Sequence, residues 1–187
     1  MLKKLYLTIG CSGSGKSFYL KNKFLSDFSE VANFLTEKGL TLDMIKVCPD
    51  DIRREVCGDV SDISKDLYVW RLAESRLKNI LDKYSYGVFD ATGVSVSGRK
   101  IFKKFSDTYK IAIVFEPNVS LSKERITKDI SEGVDRSKVP MFVIDRQFES
   151  FKSSVVKDLM WDGIWDIDIK KKIIVSLKGE FDEIFFA

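Results

Sequence analysis

The sequence predicts an α/β fold in which a parallel β-sheet carries helices on both faces. Three observations lead there. Residues 10–17, Gly-Cys-Ser-Gly-Ser-Gly-Lys-Ser, fit G-x-x-x-x-G-K-[ST] at every fixed position. An apolar, β-prone run at 5–9 precedes them, and a helix-compatible run, Phe18-Tyr19-Leu20, follows. Further on, short apolar runs alternate with longer stretches of helical periodicity, and that alternation needs crossover connections between parallel strands.

Residues 5–9 are the first strand and 16–25 the first helix. Residues 26–40 are a loop and a short helix ending at Gly39. Residues 44–48 read as a second strand, followed by a short helix entered at Pro49 and Asp50. Leu67, Trp70, Leu72, Leu77, Ile80 and Leu81 recur at helical spacing within 63–83. Residues 86–90 are a short buried-type strand closed by an acid. A helix is expected over 97–105, the clearest later strand over 110–116, and a polar helix over 119–131. Residues 133–139 form a charged loop and 140–157 a further helix. Strands are candidates at 161–169 and 173–177, and 181–186 is a last strand or a helix. Ligands of such sheets sit at the C-terminal ends of the strands. The polar clusters at 10–17, 49–53 and 90–93 should therefore converge on one cleft.

Composition narrows the function. The chain of 187 residues suits one domain, and 44% hydrophobic with 32% charged residues suits a folded core. A net charge of +3 is too small to argue for nucleic acid by itself. Three cysteines, Cys11, Cys48 and Cys57, without zinc-type spacing argue against a disulfide framework or structural metal. No apolar stretch reaches membrane-spanning length, and the first residues run straight into a strand, so no membrane partner is expected and the cytoplasm is the natural compartment. There is no histidine, so a general base must be a carboxylate or a less usual group.

The octapeptide carries the chemistry. Its glycines let the backbone of Gly10, Cys11, Ser12, Gly13, Ser14 and Gly15 turn N–H groups toward a phosphate chain, and the following helix start adds partial positive charge. Lys16 is expected at the β- and γ-phosphates of ATP, the Ser17 hydroxyl on Mg²⁺, and Phe18 beside them. These features predict a P-loop NTPase fold spanning 1–187. Asp50 and Asp51 stand where a carboxylate can orient an acceptor hydroxyl and take its proton; the plain alternative is a helix N-cap and a surface acid. Arg53, one turn on, shares the face of Asp50 and suits an anionic acceptor group, whereas Arg54 is expected to point into solvent. Asp90 ends a hydrophobic strand, as a Mg²⁺-holding acid does, and joins the acceptor side; the alternative is an ordinary turn residue. The charged stretch 123–138 is either a solvated helix face or an arginine-bearing helical lid, about 119–157, with Arg125 and Arg136 as phosphate contacts. Arg136 ranks first because it lies in the loop with Gly133. Phe142, Val143, Phe148 and Phe151 read as core or lid packing, and Trp161 and Trp165 as buried against the sheet edge.

Together, T-I-G-C-x-G-S-G-K-S at 8–17, x-D-D-x-R at 49–53, F-D-A-T at 89–92 and R…R-x-K-V-P-x-x-V at 125–143 resemble the kinase domain of phage-type 5′-polynucleotide kinases. The resemblance covers about 3–155. It implies ATP and Mg²⁺ as cofactors, a DNA or RNA 5′ end as partner, Asp50 as general base on the 5′-hydroxyl, Arg53 on the substrate's 3′-phosphate, and a lid arginine, Arg136 or Arg125, on the ATP phosphates. Ser12, Phe18, Gly93 and Ile126 stand where the family often has Pro, Thr, Asn and Asn. No phosphatase unit is expected. Kinases of modified bases in phage DNA, and toxins that phosphorylate small nucleotide-like metabolites, use the same motifs. A slow ATP-hydrolysing switch is the rival from another class, and Asp50 and Arg53 speak against it.

Overall fold

A computed structural model describes residues 2–156 and 183–187. Its centre is a sheet of five parallel strands: β1 (Lys3–Ile9), β2 (Lys46–Val47), β3 (Tyr86–Phe89), β4 (Thr108–Val114) and β5 (Glu183–Phe186), in the spatial order β2-β3-β1-β4-β5. β1 is central and pairs on both sides, Leu5 lying opposite Gly87 of β3 and Lys110 of β4. β5 joins the far edge of β4, with Ile111 opposite Glu183.

The helices are α1 (Lys16–Asn22), α2 (Phe24–Asp27), α3 (Ser29–Lys38), α4 (Leu42–Ile45), α5 (Pro49–Cys57), α6 (Asp66–Tyr84), α7 (Val96–Arg99), α8 (Val119–Ser131) and α9 (Met141–Phe151). The period of two in the strands sends alternate side chains to opposite faces. Leu5, Leu7, Ile9, Phe89, Ala112 and Val114 pack with Ile52 of α5 and Val69, Ala73, Leu77 and Leu81 of α6. Tyr6, Val88, Ile111 and Ile113 pack with Tyr19 and Leu20 of α1, Phe24 of α2, Val31 and Leu35 of α3, and Ile45 of α4. Burial on both faces is why the strands read as continuous apolar runs. At Gly87 the approach is so close that an added Cβ would lie 3.1 Å from both Leu77 and Leu81 side-chain atoms.

Several elements differ from the sequence expectation. The expected second strand over 44–48 is shorter than expected: Met44 and Ile45, the latter fully buried, belong to α4, Lys46 and Val47 pair with β3, and Cys48 is the N-cap of α5. An edge strand needs just enough pairing to aim the loop that follows it. The single helix expected over 97–105 is α7 followed by a 3₁₀ turn, Lys100–Lys104, and the helix over 140–157 starts at Met141 and loosens into π geometry at Lys152–Val156. Phe151 is core and Phe148 packs against it, whereas Phe142 is exposed. The segment at 181–186 is the strand β5. The strand candidates at 161–169 and 173–177, with Trp161 and Trp165, lie outside the described residues.

From β1 the chain travels out to β2, returns to β3, then passes β1 to reach β4. The loops after β1 and β3 therefore lead to opposite sides of the sheet, and a crevice opens at the C-terminal ends of the strands where such a reversal occurs.

Candidate active site

A cleft of about 810 Å³ lies there. Its wall takes residues following every strand: 12–18 after β1, Cys48, Asp50 and Asp51 after β2, Asp90 to Thr92 around the end of β3, Phe115 after β4 and Ala187 after β5. The three polar clusters expected at 10–17, 49–53 and 90–93 each contribute to this wall, and Phe115 and Ala187 add to it.

The loop after β1 owes its path to glycine. Gly13 and Gly15 take φ of 79° and 99°, a left-handed region that a side chain disfavours. A Cβ on Gly13 would sit 2.6 Å from the Ser122 carbonyl oxygen of α8, and one on Gly10 would sit 2.7 Å from Ser14 Oγ and 2.9 Å from Phe115 Cβ. The Lys16 ammonium donates to the carbonyls of Gly10 (3.0 Å) and Cys11 (2.7 Å). The Ser12 N–H donates to Gln147 Oε1 of α9 at 2.7 Å. The buried Ser14 hydroxyl has no hydrogen-bond partner. Phe18 is 66% exposed and forms part of the cleft wall.

Asp90 stands beneath this loop. The Ser17 hydroxyl donates to its Oδ2 at 3.1 Å, and Thr8 Oγ1 lies 3.2 Å from its Oδ1. Burial raises the Asp90 carboxyl above the usual carboxylate range, opposed by the positive charge of Lys16 and by the Ser17 and Thr8 hydroxyls. Burial lowers Lys16 in turn, opposed chiefly by the charge of Asp90. A buried acid next to a serine hydroxyl is a hard-oxygen pair of the kind Mg²⁺ takes together with phosphate oxygens and water. Among the described residues no three of His, Cys, Asp and Glu group as a protein-only metal cage.

On the opposite wall, Asp50 and Asp51 occupy the first turn of α5. Cys48 is the N-cap, and no side chain caps the helix by a hydrogen bond. The capping alternative for Asp50 is therefore not what the local structure uses. Arg53 is only 8% exposed and is absent from the cleft wall. One of its terminal nitrogens is bonded to Asp50 Oδ1 and the other to Asp66 Oδ1. Arg54, expected in solvent, keeps a side chain 40% exposed and also lines the cleft, pairing with Asp51 (3.0 Å) and with Asp135 across the opening (2.7 Å). Ile52 and Arg53 face inward, which turns positions 50, 51 and 54 of α5 toward the cleft.

The third wall is the arm formed by α8, residues 132–140 and α9. Arg125 reaches the Gly13 carbonyl at 3.3 Å. Arg136 pairs with Asp129, its Nε is buried without a hydrogen-bond partner, and its charge contributes to lowering Lys16. The Lys138 N–H donates to Ser61 Oγ at 3.0 Å, which with the Arg54–Asp135 pair holds residues 135–138 against the α5 side. Five carboxylates (Asp50, Asp51, Asp90, Asp129, Asp135) face five cations (Lys16, Lys23, Arg54, Arg125, Arg136) in the wall. A bound triphosphate would tip that balance strongly negative.

The structure thus gathers loop residues 12–17, Asp50, Asp90, Arg125 and Arg136 around one cleft and leaves Gly10, the buried Cys11 and Arg53 out of its wall. Sequence reading missed Gln147, Asp129, Asp66, Thr8 and the placement of Arg54. Only Thr8, a hydroxyl inside an apolar strand run, gave a local signal; the others are contacts made across elements. No protein-family model matches the chain, and no curated protein matches it either.

Proposed function

We propose that this protein is a P-loop kinase that transfers the γ-phosphoryl group of ATP to a hydroxyl, the 5′-hydroxyl of a polynucleotide being the acceptor. The observation that carries the reading is the meeting of Lys16, the Ser17–Asp90 pair and Asp50 in one cleft. Lys16 leaves the loop carbonyls for the β- and γ-phosphates. Arg136, with a buried donor unspent, and Arg125, already at the loop, stabilise charge spreading over the transferring group, each by a few kcal/mol, or roughly 10²–10³ in rate. Ser17 and Asp90 hold Mg²⁺, which neutralises phosphate charge when bound. Asp50 orients the acceptor hydroxyl and takes its proton. The choice of a polynucleotide rests on the motif resemblance over about 3–155. A small metabolite or a modified base is the second reading, favoured by the absence of Arg53 from the cleft wall and by its pairing with Asp50 and Asp66.

The test is transfer from γ-labelled ATP to an oligonucleotide bearing a 5′-hydroxyl, to the same oligonucleotide already 5′-phosphorylated, and to a nucleoside with and without a 3′-phosphate. Label on the 5′-hydroxyl oligonucleotide alone supports the reading. Equal use of the bare nucleoside moves it to a small acceptor, and acceptor-independent ATP hydrolysis overturns the kinase. Lys16→Met should abolish transfer in a folded protein. Asp50→Asn should slow it about a hundredfold, with Asp51→Asn much milder.

A further inference from the structure

We propose that Asp66 is a positioning residue for Asp50, acting through Arg53; the inference rests on the reading of Asp50 as the base. Asp66 is the first residue of α6, 13 positions from Arg53 in the chain. It is fixed at both carboxylate oxygens: Oδ1 accepts from Arg53, and Oδ2 accepts from Trp70 Nε1 at 3.1 Å, one turn along α6. Arg53 in turn holds Asp50 by its other terminal nitrogen. The order Trp70, Asp66, Arg53, Asp50 is thus a continuous chain of hydrogen bonds running from the α6 face to the cleft wall.

The geometry argues for more than a surface ion pair. The Arg53 side chain is 10% exposed, whereas that of Asp50 is 54% exposed and lies in the cleft wall. A carboxylate so exposed in a first helical turn has several rotamers open to it. A buried guanidinium, planar and held at its far nitrogen, selects one of them. The value to transfer is orientation: a base must meet the hydroxyl within a few tenths of an ångström, and small misplacements are costly. With both terminal nitrogens of Arg53 engaged in this way, the arginine that α5 contributes to the cleft wall is Arg54.

The test is a double-mutant cycle on the full chain with Asp66→Ala, Asp50→Asn and the double variant, reading kcat, KM for ATP and acceptor, ATP affinity at equilibrium, and Tm. Asp66→Ala should lower kcat about tenfold to a hundredfold, with KM for ATP changed less than about twofold. Asp66→Asn keeps an oxygen for Arg53 and should recover part of the loss. In the Asp50→Asn background, Asp66→Ala should cost less than about twofold more, because the group it orients no longer acts as a base. Equal losses in both backgrounds, or an unchanged kcat, overturn the inference while leaving the kinase reading intact. Full activity in Asp50→Asn overturns the assignment of the base. Should Asp66→Ala not fold, Trp70→Phe removes the donor that steadies Asp66 and should lower kcat severalfold at constant KM for ATP; no change in kcat overturns the inference.

Discussion

Asp90 pays for its position at the end of β3. It is 7% exposed, and burial raises its carboxyl above the ordinary range even with Lys16, Ser17 and Thr8 opposing the shift. An unfolded aspartate titrates near ~3.9, and the folded group titrates higher, so the folded state binds the proton more tightly. Stability is therefore lost as pH rises from about 4 through the raised value, and the penalty is complete above it. Asp90→Asn should accordingly melt at a higher temperature than wild type at neutral pH in metal- and nucleotide-free buffer, with the gap closing as pH falls toward ~4. Thermal melts across pH would check this, and a wild type more stable at every pH would mean that the Lys16 attraction exceeds the burial penalty. The same variant should lose Mg²⁺-dependent transfer. Arg53 and Arg54 differ by one position yet lie behind and in the cleft wall, a division set by the buried face of α5.

Contacts between elements decide whether the glycine-rich loop can form. Gly13 sits under α8, where an added Cβ would meet the Ser122 carbonyl oxygen at 2.6 Å, and its φ of 79° is strained for any residue with a side chain. That neighbour is helix backbone and cannot swing aside. Gly13→Ala should therefore push the loop and α8 apart and weaken ATP binding at least about tenfold, a loss of the size a 1–3 kcal/mol backbone strain produces. Binding of a fluorescent ATP analogue would measure it, and unchanged affinity would show that the loop shape is not set by this contact. By contrast, the cost of giving Met44 and Ile45 of the expected second strand to α4 is small, because β2 lies at the sheet edge and its last residue still points the chain into α5.

The molecule as a whole places its strand ends around one cleft, so binding there is coupled to the stability of the entire sheet. A ligand that binds only the folded state stabilises it by RT ln(1 + [L]/Kd), about 2.7 kcal/mol at a hundredfold excess over Kd. For a chain of 187 residues this corresponds to a rise in Tm of about 5–10 °C. ATP with Mg²⁺ should give that shift, ATP with EDTA a smaller one, and Lys16→Met none. Scanning fluorimetry would decide it, and an absent shift at saturating ATP·Mg²⁺ would refute nucleotide binding in the cleft. No helix of the described residues is long and apolar enough to cross a membrane.

The parallel α/β architecture, the loop at 10–17 and the acid at the end of β3 were legible in the residues alone, because strand alternation, glycine punctuation and a polar residue closing an apolar run are local patterns. The helix over 119–131 was legible to the residue for the same reason. The order β2-β3-β1-β4-β5 was not, since strand pairing is a choice among long-range contacts that no local pattern encodes. Nor was the partition of Arg53 from Arg54, the reach of Gln147 to the Ser12 N–H, or the anchoring of Arg53 by Asp66. Each depends on how α5, α6 and α9 pack against the sheet, and side chains that meet from distant parts of a chain acquire their partners only when that packing is complete.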